Sequence, residues 1–286
     1  MISPTIQRHI EQLLMVPSCL FNAVGGGSIN ETYRVQTGSQ VFFCKINSAT
    51  AFPSLFECEK NGLDFLAGRQ VIRIPQVIAV SEVGNTQILL MEWIEQGLKT
   101  ADFWKTFGRQ MAALHAKKGE SCGLGIGNYM GALPQDNTWT GTWIDFFIHR
   151  RLQPHVQLAI DHQLLETKAV SYFEKLYQQL PAIFEPVPPC LLHGDLWSGN
   201  FLCDVHSKPV LIDPAVYYGH NSMDLAMTTL FGGFDKAFYD SYQYYNPLPS
   251  NYQEQWDVCN LYPLLIHLNL FGKSYLSEIL HTIRRY

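Results

Sequence analysis

Three polar residues carry most of the chemistry open to this chain. Asp195 and Asn200 lie within His193-Gly-Asp-Leu-Trp-Ser-Gly-Asn200, and Asp213 follows eighteen positions after Asp195, closing the apolar run Val210-Leu-Ile212. The apolar lead-in Cys190-Leu-Leu192 reads as a strand that ends at the loop. His-x-Asp-x-x-x-x-Asn, then an aspartate at a strand end, is the layout of a phosphoryl-transfer loop. In that chemistry one carboxylate orients a substrate hydroxyl and takes its proton, a role that falls to Asp195. An amide oxygen and a second carboxylate, from Asn200 and Asp213, would hold Mg²⁺ on the phosphates of ATP. Each residue alone is a common turn former. Their joint spacing outweighs that reading.

ATP phosphates also need a cation and backbone donors. Lys45 closes the apolar run Val41-Phe-Phe-Cys44, where a kinase places the lysine that meets the α- and β-phosphates. Phe56, Glu59, Leu63 and Leu66 recur at helical spacing, so Glu59 shares a buried-facing stripe. A carboxylate there needs a counter-ion, and Lys45 supplies it. Glu57 is a rival partner but lies off the stripe. Gly25-Gly26-Gly27-Ser28 reads as a glycine turn between strands, whose backbone N–H groups can approach phosphate oxygens. It matches neither Gly-x-Gly-x-x-Gly nor a Walker A motif, so a plain flexible turn competes with that reading. Glu92, Trp93 and Ile94 end an apolar run and lead into Glu95-Gln-Gly97. Their backbone would suit an adenine edge, although an ordinary strand leaving a sheet explains the stretch equally well.

The elements that must position these groups can be read in order. Ser3-Pro4 starts a helix carrying Ile6, Ile10, Leu13 and Leu14. Strands follow on both sides of the glycine turn and at Val41 to Lys45, then a helix over 51–66, then strands at 77–81 and 87–93. Thr100 caps a helix with Phe103, Phe107, Met111 and Leu114, and His115 at its end is given no catalytic role. Residues 123–139 are long for a loop, and such loops are often binding elements. Trp139, Trp143, Phe146 and Phe147 open a helix ending at Arg150-Arg-Leu152. A further helix begins at Ser222, with Asp224 in its first turn suited to the positive helix end and able to brace the catalytic loop.

At 286 residues, two units sharing a cleft are expected. A hydrophobic content of 47% with 16% charged residues describes a globular chain with a sizeable core. The net charge of −5 gives no basic surplus for nucleic acid or an anionic membrane. No apolar run approaches the roughly 18 residues of a membrane span, and the start lacks a signal-peptide layout. The expectation is a cytoplasmic monomer without nucleic-acid or membrane partners. Seven cysteines, without Cys-x-x-Cys and mostly among apolar neighbours, read as reduced thiols.

With these residues laid out, the chain resembles the fructosamine kinase (ketosamine 3-kinase) family, relatives of the aminoglycoside and choline kinases, over nearly its whole length. The resemblance runs through Gly25-Gly-Gly-Ser-Ile-Asn30, Phe56-Glu-Cys-Glu59, Pro134-Gln135 with Asn137 and Trp139, and His193 to Asn200. It continues through Ile212-Asp-Pro-Ala215, Tyr218-Gly-His220, Asp224-Leu-Ala226, Phe231-Gly-Gly-Phe234 and His267-Leu-Asn269 with Phe271-Gly272. It implies an α+β, bilobal protein kinase-like fold. The N-terminal lobe, 1–94, would hold an antiparallel five-stranded sheet plus helix, with a hinge at 95–98 and a mainly helical lobe over 99–286. It also implies ATP-dependent phosphorylation of a sugar hydroxyl on a small-molecule or protein-linked ketosamine. Asp195 would be the base, Asn200 and Asp213 the Mg²⁺ ligands, Lys45 and Glu59 the phosphate-positioning pair, and Trp197, Asn137 and His220 substrate-side residues. Some family members carry a redox-sensitive cysteine in the glycine loop; Ser28 and its neighbours offer none. The alternatives are a kinase of the same fold acting on an aminoglycoside, choline or a sugar, and a nucleotide-binding pseudokinase module.

Overall fold

The computed structural model of the chain describes residues 2–25 and 29–286. Five strands form the N-terminal sheet: β1 (Leu20–Ala23), β2 (Glu31–Thr37), β3 (Gln40–Ser48), β4 (Val77–Val83) and β5 (Thr86–Glu92). Their order is β1-β2-β3-β5-β4, with every neighbouring pair antiparallel. Side chains alternate across a strand, so each face meets a different helix. Tyr33, Val35, Cys44, Ile88 and Leu90 face α1 (Pro4–Leu13), which buries Ile6 and Ile10 against them. Burying each isoleucine contributes about 1.5–3 kcal/mol. Ser3 caps α1 by accepting from the Ile6 N–H at 3.3 Å. Leu89 and Met91 face the other way, onto Leu55, Phe56 and Leu63 of α2 (Leu55–Ala67).

Lys45 sits opposite Leu89 in the β3–β5 register, which turns its side chain to the α2 face. The helix begins at Leu55 rather than near Ala51, because Gln87 holds the preceding turn. It accepts from the Phe56 N–H at 3.2 Å and donates to the Ser48 and Phe52 carbonyls at 3.1 and 2.7 Å.

After β5 the chain crosses to the helical part along a stitched path. Gly97 N–H donates to the Cys203 carbonyl at 2.9 Å. The Arg73 guanidinium forks to Glu92 and Asp204, both at 2.6 Å. The helical part comprises α3 (Ala101–His115), α4 (Trp143–Phe146), α5 (Gln153–Asp161), α6 (Ala169–Ile183), α7 (Ser222–Leu230), α8 (Lys236–Tyr245), α9 (Tyr252–Cys259), α10 (Leu261–Phe271) and α11 (Leu276–Ile283). Thr100 caps α3 as its sequence position suggests, accepting from Phe103 N–H at 3.2 Å. The Trp139 region opens no helix. Helix begins at Trp143, and a π-helical turn, Phe147–Leu152, joins α4 to α5.

Short strands carry the loops of interest. β8 (Cys190–Leu192) pairs with β11 (Tyr217–Gly219), and β9 (Phe201–Cys203) with β10 (Pro209–Leu211). The segment 123–139 folds into a hairpin of β6 (Asn128–Met130) and β7 (Leu133–Gln135). No helix among the described residues is long and apolar enough to cross a membrane.

Candidate active site

The loop that carries Asp195 leaves β8 at His193 and is fixed from below. Asp224, in the first turn of α7, is buried and accepts the His193 and Gly194 N–H groups, each at 2.8 Å. It also meets His115 Nε2 at 3.1 Å. Tyr242 completes the chain. Its hydroxyl oxygen accepts from Asn221 at 3.1 Å and Asn246 at 2.8 Å, so its proton goes to His115 Nδ1, 2.7 Å away. That fixes the tautomer: Nδ1 accepts, and Nε2–H donates to Asp224. Burial disfavours the Asp224 charge, but the His115 bond and the loop N–H groups outweigh it and hold the carboxyl below its usual range. Gly194 is in the left-handed region at φ +86°, and a Cβ there would run into the Ala215 carbonyl. The turn that presents Asp195 therefore needs glycine.

Asp195 then points into the cleft. Asn200 Nδ2 donates to its carboxylate at 2.7 Å and to its carbonyl at 2.9 Å. The amide nitrogen of Asn200 is thereby used, and its oxygen has no partner among the described residues. Burial, then the nearby Asp213 charge, raises the Asp195 pKa to about 7, against the lowering effect of the Asn200 bond. A carboxylate poised there is suited to proton acceptance near neutrality.

From the sheet side Lys45 reaches the same space. It is bonded to Glu59 at 2.8 Å and also to Asp213, so one cation serves carboxylates from both sides of the cleft. Burial opposes the Lys45 charge, but Asp213 and Glu59 together raise its pKa. The two carboxyls part company: burial dominates at Glu59 and lifts it to about 7, whereas at Asp213 burial is overcome by Lys45 and the pKa is lowered. Asp213 keeps more than a third of its side chain exposed (37%) and holds a left-handed backbone at φ +51°.

A cavity of about 610 Å³ joins these groups and is ample for a nucleotide. Lys45, Glu59, Asp195, Asn200 and Asp213 all line it, as do Gly25, Glu92, Trp93, Ile94 and Trp197. Gly26, Gly27 and Ser28 lie outside the described residues. The donor set left for a metal is oxygen only, the Asn200 amide oxygen and the Asp213 carboxylate. That suits a hard divalent cation taking its remaining ligands from phosphates and water. No group of three or more His, Cys, Asp and Glu among the described residues forms a self-sufficient metal cage.

Two expected substrate-side residues do not reach this cavity. Asn137 is buried, bonded to Arg151, Asn128 and the Ile126 carbonyl. His220 is buried between Trp143 and Phe184, with ring centroids at 5.8 and 5.2 Å, and accepts from Ser222 N–H. Both serve the scaffold. The cavity is instead walled by Asn128, Tyr129, Met130 and Gly131, within the 123–139 segment whose length suggests a binding element, and by His267 and Phe271 of α10, to which the sequence assigns no individual role. His267 Nδ1 lies 2.7 Å from the Pro263 carbonyl, which can only accept. The ring is thus protonated there, and Nε2 is left as a hydrogen-bond acceptor, without a partner among the described residues.

The fructosamine kinase family model matches residues 2–286. The chain belongs to the fructosamine kinase family. A probable ketoamine kinase of Synechocystis sp. is 38% identical over 264 residues, covering 92% of this chain and 88% of that one. The chloroplastic protein-ribulosamine 3-kinase of Arabidopsis thaliana is 37% identical over 270 residues, covering 92% and 81%. Among solved structures, a protein of fructosamine-3-kinase type from Thermobifida fusca superposes with a TM-score of 0.88 at 32% identity, over 99% of this chain and 98% of that one. An aminoglycoside phosphotransferase shares the fold at a TM-score of 0.62 and 13% identity, covering 98% of each chain. The protein kinase-like architecture of this fructosamine kinase family member is thus that of the aminoglycoside kinases as well.

Proposed function

We propose that the protein is an ATP-dependent kinase that phosphorylates a sugar hydroxyl, the 3-OH, of a ketosamine such as a fructosamine or ribulosamine. The observation that carries this is the convergence of Asp195, Asn200 and Asp213 with the Lys45–Glu59 pair on one cavity. The names of the relatives supply the acceptor class.

In this reading the backbone of Glu92 to Ile94 takes the adenine edge, and Lys45, held by Glu59, meets the phosphates. Gly25 lines the same cavity and offers its backbone beside them. Asn200 and Asp213 would hold Mg²⁺, which would supply charge neutralisation on the phosphates. Asp195 orients the acceptor hydroxyl and takes its proton, and Trp197 walls the sugar. Little covalent work is asked of the protein; positioning and electrostatics do most of it. Phosphorylation at that hydroxyl labilises the adduct and frees the amine.

The test is Asp195→Ala assayed with ATP and a ketosamine by ADP release. Nucleotide binding is expected to persist while turnover is lost, and full turnover would remove Asp195 from its role. A parallel panel of aminoglycoside, choline and simple sugars separates acceptor classes; preferential turnover of any of these refutes the ketosamine assignment.

A further inference from the structure

Arg151 is a buried cation with no carboxylate partner among the described residues. It has no exposed surface, and the nearby Asp136 carboxylate is taken by Arg150 at 2.7 Å. Its guanidinium lies over the rings of Tyr217 and Phe146, 4.2 and 4.4 Å from their centroids. It donates to the Asp136 carbonyl at 2.7 Å, the Arg150 carbonyl at 3.1 Å and Asn137 Oδ1 at 2.6 Å. Rings and carbonyls offset part of the desolvation of a buried charge, yet an apolar side chain of similar volume would fill such a site at less cost. What the cation adds is direction. A guanidinium can only donate, so Asn137 must present its oxygen to Arg151 and its nitrogen the other way, to the Ile126 carbonyl at 3.2 Å and Asn128 Oδ1 at 3.0 Å.

The orientation then propagates. Asn128 Oδ1 also takes Gln135 Nε2 at 2.7 Å, which turns the Asn128 nitrogen to the Val216 carbonyl at 3.0 Å. Gln135 is fixed by the Tyr262 hydroxyl at 2.7 Å and donates to the Ala215 carbonyl at 3.2 Å. The β6–β7 hairpin is thereby locked to the residues that follow Asp213. Its Asn128–Gly131 arm forms the cavity wall, and Tyr129 reaches the Pro53 carbonyl of the sheet side at 3.0 Å. Local structure explains why Arg151 points inward, since it sits in the π-helical turn between α4 and α5.

We propose that Arg151, acting through Asn137, is a positioning residue for the cavity wall that receives the acceptor, and so tunes acceptor affinity without touching nucleotide affinity. The acceptor half of this statement rests on the ketosamine reading; the wall-ordering half does not.

Asn137→Asp separates positioning from mere stability. The new carboxylate still accepts from Arg151, now as an ion pair, but loses the donor to Asn128 and Ile126. The expected outcome is a urea midpoint at or above the parent's, with amide exchange over 128–131 faster by about tenfold and exchange over 190–200 unchanged. The KM for a ketosamine is expected to rise about tenfold while the KM for ATP stays within about twofold. Tyr262→Phe, which frees only Gln135, should move the same readouts in the same direction by less. Unchanged exchange over 128–131 in both variants overturns the proposal, as does a parallel rise in both KM values. Should the parent protein turn over no ketosamine, the functional reading falls and the exchange measurement alone decides the wall.

Discussion

Asp224→Asn is the sharpest test of how the loop carrying Asp195 is held. The carboxylate accepts three donors: Gly194 N–H on Oδ1, and His193 N–H and His115 Nε2–H on Oδ2. An amide has one oxygen and an NH₂. In its better orientation it keeps the two Oδ2 bonds and sets NH₂ against the Gly194 N–H. Orphaning that buried donor costs about 1–3 kcal/mol, and the two remaining bonds weaken from charge-assisted to neutral by about 1 kcal/mol each. The sum is a loss of about 3–5 kcal/mol, which at a urea slope of about 3 kcal/mol per molar lowers the midpoint by about 1–1.7 M. The loop itself moves, and a misplacement of about 1 Å at Asp195 is worth about a hundredfold in kcat. Urea unfolding followed by tryptophan fluorescence, with initial-rate kinetics at 25 °C, reads both. A variant within about 0.5 kcal/mol of the parent and within about twofold in kcat would refute the bracing role.

Two further perturbations test other links. Lys45→Met leaves Glu59 and Asp213 facing the phosphates without their cation, so kcat/KM for ATP should fall by about 10²–10³-fold; a fall below about tenfold would count against the phosphate role. His220 has its pKa lowered to about 3 by burial first and then by Lys118, so between about pH 6.5 and 3 the unfolded chain binds a proton the folded one does not. Its contribution is complete above pH 6.5 and is lost as the pH falls, by up to about 1.4 kcal/mol per unit. His220→Gln should flatten the urea-midpoint profile between pH 6.5 and 4, and an identical slope in both proteins would exclude this account.

The convergence of Lys45, Glu59, Asp195, Asn200 and Asp213 on one cavity is legible because each obeys a local rule. Strand alternation sends Lys45 to the α2 face, and helical spacing puts Glu59, not the exposed Glu57, on the stripe that meets it. Asp195, Asn200 and Asp213 follow from spacing alone. Motif membership says that a residue matters without saying which way it faces, so the resemblance points Asn137 and His220 to the substrate side although both turn inward. The hairpin strands are three residues each, too short for alternation to register. His267 sits in α10, a helix so uniformly apolar that its cavity face carries no polar stripe to mark it.

The Arg73 fork has a mechanical corollary. With Glu92 at the end of β5 and Asp204 beyond β9 gripped by one guanidinium, and Gly97 bonded to Cys203 alongside, the crossing point is stitched by three bonds at one place. Opening of the cleft would swing about that seam as a pivot. Displacement would be greatest at the far rim, where the Tyr129 hydroxyl meets the Pro53 carbonyl, so that single hydrogen bond is the latch such a swing has to break.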